Sequence, residues 1–270
     1  MRTCMQIEIE SSFSFTAEAS TDMLLQFEAA AIPEQQILSC ETRMDPAEHI
    51  ARVAAQDNIG ERIWLRCQGE FNVHYSARIG LQRMQAGLDD LGRLDPHNLP
   101  AETVQYLFDS RYCAATRFQS FVEAEFGGKT GGRRVLAMRD WITRKIRYQP
   151  GTSDSNTTAL DSFVERRGIC RDYAHLMVSF ARASEIPARY VSVYAPEVDP
   201  ADFHAVAEVF LQDPDIPGGG AWYIVDATRM AGPDDAVKIG VGRDAADVSF
   251  MTVFGPTQFG NQQVSVRRRG

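Results

Sequence analysis

The chain has 270 residues, 44% hydrophobic and 24% charged, which is an ordinary globular composition with apolar material for a sizeable core. Its 28 Lys and Arg against 36 Asp and Glu leave a net charge of −8, which excludes bulk attraction to phosphate backbones and argues against nucleic-acid partners. No stretch approaches the roughly 18 consecutive apolar residues of a membrane span, and residues 1–30 lack the apolar core of a signal peptide, so a cytoplasmic protein with no membrane partner is expected. The five cysteines, Cys4, Cys40, Cys67, Cys113 and Cys170, are scattered without a CxxC pair. That usage fits reduced thiols in a reducing compartment.

In chain order, residues 5–85 read as β-rich. Residues 5–10 alternate with period two, and so do residues 63–79, with Phe71, Val73 and Tyr75 on one face. Asn58-Ile59-Gly60 reads as a turn, and the whole as an antiparallel sheet or sandwich of short strands. His49 and His74 have no ligand-type neighbours and are assigned to structure. Residues 88–100 are polar and carry glycine and proline, as a linker would. Residues 101–126 have helical spacing. The glycine run 127–132 fails the phosphate-loop test, because the earlier glycine that pattern needs is Glu123; it reads as a flexible connector. Residues 135–148 form a helix with Leu136, Trp141, Ile142 and Ile146 on one stripe. A polar loop (152–158) and a short helix (159–165) follow.

From Cys170 to Ser184 the pattern is helical again, and strand-like runs come next at 189–194, 205–211, 222–227, 237–241 and 249–254. Helices followed by strands point to an α+β fold with a helix on an antiparallel sheet. Two units are expected, a sandwich-like β-domain over 1–88 and a second domain over 98–270. The basic run Arg267-Arg268-Arg269 reads as a solvated terminus.

Cys170 opens its helix, where unpaired N–H groups and the macrodipole stabilise an anion and lower a thiol's pKa. At about 100° per residue, Ala174, Met177 and Ala181 fall near the Cys170 direction, so the thiol is on the side facing the sheet. Arg171 and Asp172 point elsewhere. His175 lies about 140° around the helix and is given a structural role. The base must then come from the sheet.

His204 begins one strand and Asp226 ends another, with turn-rich residues 213–220 between them. A hairpin centred on residue 215 sets 208 opposite 222, 206 opposite 224 and 204 opposite 226. Opposed residues share a face, and a register shift of two preserves that while a slip of one destroys it. Aspartate would fix the histidine's tautomer, and the imidazole would deprotonate the thiol for attack on an acyl carbon.

The motif Gly168-Ile169-Cys170-Arg171-Asp172-Tyr173-Ala174-His175 resembles the cysteine motif of bacterial transglutaminase-like proteins. Residues 186–192, Phe203-His204-Ala205, Val225-Asp226-Ala227-Thr228 and residues 240–248 look like the stretches that follow it. The β-rich N-terminus resembles the β-domain found ahead of this papain-like core. By resemblance, Cys170, His204 and Asp226 carry over as nucleophile, base and orienting acid of a transglutaminase-like catalytic domain. The motifs depart at Val206, where tryptophan is common, and at Ala227, where proline is usual; both bear on the substrate cleft. The Cys170 N–H is one natural oxyanion donor, with a second from residues 148–156.

The resulting expectation is acyl transfer at amide bonds of a protein or peptide through a thioester. Water is one acceptor (peptidase or amidase) and a primary amine the other (transglutaminase). No cofactor or metal is expected, since neither HExxH nor a Cys/His cluster is present. The alternative is a non-catalytic protein-binding module that retains the fold.

Overall fold

The computed structural model describes residues 5–83, 87–217 and 219–269; Cys4 of the expected thiol set and Gly218 of the expected turn lie outside them. The first strands are β1 (Met5–Leu25), β2 (Gln35–Met44), β3 (His49–Ala54) and β4 (Glu61–Leu81). Helices α1 (Ala101–Val104), α2 (Gln119–Phe126) and α3 (Gly131–Lys145) follow. The short strand β5 (Arg147–Tyr148), helix α4 (Ala159–Glu165), strand β6 (Arg167–Gly168) and helix α5 (Cys170–Arg182) come next. Strands β7 (Ala188–Tyr194), β8 (His204–Gln212), β9 (Gly220–Val225), β10 (Val237–Gly242), β11 (Met251–Val253) and β12 (Thr257–Arg269) complete the chain.

The fold is mixed α+β. A six-stranded antiparallel sheet has the order β11-β1-β4-β2, with β12 also on β1 and β3 also on β4. Alternation dictates which face it buries: Ile7, Ile9, Phe13 and Phe15 of β1 and Phe71, Val73, Tyr75 and Ile79 of β4 share one core. The sheet is built on two strands of 21 residues each rather than on short strands. Its buried face meets Tyr194, Val237 and Ile239 of a second, four-stranded sheet ordered β10-β7-β8-β9. The same sheet also carries α5, where Leu176, Met177 and Phe180 pack with Ala188, Ala207, Val209 and Val225.

Several local expectations differ. Residues 101–126 are not one helix. Phe108 is extended, and its carbonyl and the Ser110 hydroxyl accept hydrogen bonds from buried Arg182 at 3.0 and 3.1 Å. Asp109 takes the Thr116 N–H at 3.1 Å, a local bond that competes with helix continuation. Residues 88–100 are a packed strap, not a free linker: Leu91 is buried, and Gly92 exchanges backbone hydrogen bonds with Gln212 at 3.2 and 3.0 Å. The glycine run is not simply a connector either, since buried Gly131 and Gly132 start α3 and the Gly132 N–H donates to the Leu91 carbonyl at 2.9 Å.

The hairpin of β8 and β9 pairs Ala207 with Val225, Glu208 with Ile224 and Phe210 with Trp222, two residues away from the expected register. The cause is the turn, closed by the Asp213 N–H on the Gly219 carbonyl at 3.0 Å, which centres it on residue 216. Residues 251–269, placed by the sequence in the second domain, belong to the first sheet. The basic run is paired strand there, with Arg269 opposite Gln6 and Arg268 bonded to Asp235 at 2.8 Å.

Candidate active site

Tyr148 and Gly168 pair in a two-residue parallel bridge, and this short ladder delivers the chain to the start of α5. Gly168 permits a close approach: a Cβ there would lie 2.6 Å from the Asp172 Cβ. Cys170 is the first helical residue and is half-buried. The first helical bond to Ile169 O comes from the Asp172 N–H at 2.9 Å, so the earlier N–H groups of Cys170 and Arg171 stay outside the helical ladder.

Asp172 is turned into the loop that precedes the helix. It is 0% exposed, and its carboxylate takes the Ile169 N–H at 2.8 Å and the Ser153 hydroxyl. One buried carboxylate therefore caps the helix and clasps the loop of residues 150–158 to it. Its sequence signal was its position three residues beyond the N-cap, where an acidic side chain reaches back to the capping amide.

His204 opens β8 and Asp226 follows directly on β9, with exposures of 2% and 8%. His204 Nε2 lies 3.0 Å from Asp226 Oδ2. The aspartate also accepts N–H groups of Thr228 at 2.8 Å, Met230 at 3.0 Å and Ala231 at 2.8 Å, and the Thr228 hydroxyl at 2.8 Å. Burial alone would raise its pKa, but His204 and these donors hold it below the ordinary carboxylate value.

His204 shows the complementary balance. Burial disfavours its charged form, yet Asp226 and Cys170 outweigh burial and lift its pKa to about 9. Among the described residues Nδ1 has no partner at regular hydrogen-bond geometry. Catalytic contacts are commonly loose before substrate arrives. With Nε2 committed to Asp226, Nδ1 is the ring nitrogen that stays without a partner.

Tyr148 is half-buried on β5, paired with Gly168 just ahead of the cysteine helix. Burial and the charge of Cys170 push its pKa up to about 12, while the Cys170 N–H pulls it down; Asp202 and Asp226 act on it too. The phenol is thus protonated and able to donate near neutral pH. Tyr148 heads the segment in which a second donor was expected, but the sequence did not single it out.

His175 lies elsewhere. It is buried between Tyr112 and Tyr190, with ring centroids 5.1 and 5.3 Å away, and accepts the Ala245 N–H at 3.2 Å. Burial and the nearby Arg171 and Arg182 push its pKa well below the ordinary value, so it is a neutral packing element.

A family model of the transglutaminase-like superfamily matches residues 120–227, a span that contains Cys170, His204 and Asp226. The solved structure described as "a Putative Cysteine Protease from Cytophaga hutchinsonii" has a TM-score of 0.88 and 30% identity, covering 98% of this chain and 91% of that one. An uncharacterised protein of Mycobacterium leprae is 33% identical over 122 residues, 43% of this chain and 42% of its own length. One of Mycobacterium tuberculosis is 31% identical over 127 residues, 42% of this chain and 40% of its own. The chain thus spans about two fifths of the length of these curated relatives.

Proposed function

The chain belongs to the transglutaminase-like superfamily, and from that membership we propose that it is a thiol-dependent acyltransferase acting on amide bonds through Cys170, His204 and Asp226. Membership and the likeness to the Cytophaga protein support thiol-dependent catalysis at the level of the family. The observation that carries the finer reading is the buried His204–Asp226 pair, 3.0 Å apart, with the ring's other nitrogen left for a cysteine at a helix N-terminus.

In this reading His204 takes the Cys170 proton through Nδ1, and Asp226 holds the imidazolium. The thiolate attacks the carbonyl carbon of a protein or peptide amide, and the carbonyl electron pair moves onto oxygen. The Cys170 N–H and the Tyr148 hydroxyl stabilise that oxyanion. When the intermediate collapses, the C–N bond breaks, the imidazolium protonates the leaving amine, and a thioester remains on Cys170. Water then releases an acid, or a primary amine forms a new amide. A reducing, cytoplasmic setting belongs to this proposal, supported by the free thiols of Cys40, Cys67, Cys113 and Cys170.

The test is alkylation with iodoacetamide at pH 6, followed by intact-mass measurement of acyl-enzyme on a peptide library with and without an amine acceptor. Cys170 should label faster than Cys40 and Cys67, and the trapped thioester should vanish in Cys170→Ala. Labelling of Cys170 no faster than Cys40, with no acyl-enzyme, would leave a binding module instead.

A further inference from the structure

Three aromatic rings line up beside His204, and two of them come from the segment that builds the N-terminal sheet. Phe203 immediately precedes the histidine and stacks on Phe250, with centroids 5.1 Å apart and planes 17° apart. Phe259 of β12 meets Phe250 edge-on at 5.6 Å. Each of the first two is backed by a buried ring: Phe203 by Tyr194 at 5.3 Å and Phe250 by Phe13 at 5.9 Å. Phe203 and Phe250 are half-buried and Phe259 is 43% exposed. The rings are therefore fixed from behind and open in front, as a rigid apolar wall must be.

The strand that carries Phe259 is bent to put it there. Residues 259 and 262 would fall on opposite faces of a regular strand. A bulge lies between the pairs Phe15–Phe259 and Phe13–Gln262, so both residues share the face of buried Phe13 and Phe15. The bulge is anchored by the Asn261 N–H on the Ser14 hydroxyl at 3.1 Å, and a Cβ at Gly260 would lie 2.5 Å from that oxygen. Gln262 then donates to the Asp202 carboxylate, next to Phe203. Ala205 and Val248, each two residues from a ring of the wall, share an apolar cluster against which Cys170 packs. The turn that carries Phe203 therefore runs next to the cysteine.

Resting on the acyl-transfer reading, we propose that Phe203, Phe250 and Phe259 form a subsite for a large apolar side chain of the polypeptide whose carbonyl Cys170 attacks. The wall presents ring faces and edges, while the polar groups at its rim, Asp202 and Gln262, are bonded to each other. That surface rewards an aromatic or branched aliphatic side chain and gives a charged one nothing to pair with. The N-terminal sheet is then a specificity element of the enzyme.

The test uses the full chain and peptidyl vinyl sulfones that carry Phe, Leu, Ala or Asp beside the electrophile, with iodoacetamide as a probe lacking a side chain. The Phe and Leu probes should alkylate Cys170 at least about tenfold faster than the Ala and Asp probes. Phe259→Ala should bring Phe and Leu down to the Ala level while leaving the iodoacetamide rate and the melting temperature unchanged, and Phe259→Leu should keep most of the preference. Equal rates for all peptide probes, or a preference that survives both Phe259→Ala and Phe250→Leu, overturns the subsite while fast iodoacetamide labelling keeps the acyl-transfer reading. Iodoacetamide labelling of Cys170 no faster than Cys40 overturns both.

Discussion

The Asp226 carboxylate holds His204 Nε2 at 3.0 Å, although the two residues are not ladder partners: His204 pairs with Val193 across β7, and Asp226 lies just beyond the end of β9. Three backbone N–H groups and a hydroxyl fix that carboxylate before it meets the ring. Its charge and its position can therefore be separated by substitution.

Asp226→Asn keeps the shape and removes the charge. The His204 pKa, about 9 in the native protein, should fall toward its ordinary 6.5. In the mechanism proposed above, loss of the imidazolium sets the alkaline limb of the rate profile, so that limb should move from near pH 9 to lower pH. Stability carries the same sign. A histidine with a raised folded pKa contributes fully below about 6.5 and loses that contribution as pH rises through about 9. Urea unfolding across this window should show that slope in the wild type and a smaller one in Asp226→Asn.

Tyr148→Phe removes only the hydroxyl that the proposed mechanism uses as an oxyanion donor. By analogy with the loss of one oxyanion donor, kcat should drop about 10²- to 10³-fold. KM and the urea midpoint should change little, because the ring still packs on Tyr173 at 5.9 Å. A drop confined to KM would place the hydroxyl in substrate binding instead.

Asp172→Ala removes the cap of the cysteine helix and the partner of Ser153 together. The cap alone is worth roughly 0.5–2 kcal/mol. Asp172→Asn retains an acceptor for the Ile169 N–H and should recover most of that loss in urea unfolding. Equal destabilisation by both variants would show that the charge, not the hydrogen bond, is what matters.

Away from the site, Glu208 is buried between Arg189 at 2.7 Å and Lys238 at 2.5 Å, and these cations reach Asp57 at 3.2 Å and Glu34 at 2.6 Å. Burial alone would raise the Glu208 pKa, but Lys238 and Arg189 hold it down at about 2. Its contribution is present above the ordinary 4.5 and is lost as pH falls through about 2. Glu208→Gln leaves two buried cations short of charge and should cost about 3–5 kcal/mol, read from urea unfolding at neutral pH.

Much of this was legible in the residues because the signals are local. Period-two alternation marked β1 and β4, and the helical stripe after Gly168 marked α5. The turn chemistry around residue 215 paired β8 with β9 to within a two-residue shift, which preserves side-chain parity. Other features depend on partners distant in sequence. Nothing local in residues 257–269 reveals that they lie on β1. The burial of Asp172 depends on Ser153, and the prominence of Tyr148 depends on a bridge to Gly168. The break in the helix expected over 101–126 traces to Arg182, far along the chain.

The return of β12 to β1 has a consequence for synthesis. Strand β1 leaves the ribosome long before β12, and pairs such as Glu8–Arg267 close a loop of more than 250 residues. Closing so long a loop is slow compared with forming the β8–β9 hairpin. A nascent chain can thus assemble α5 and the four-stranded sheet around Cys170 while Phe259 and Gln262 are still inside the exit tunnel. Its thiol can be in place before the strand that carries Phe259 has paired.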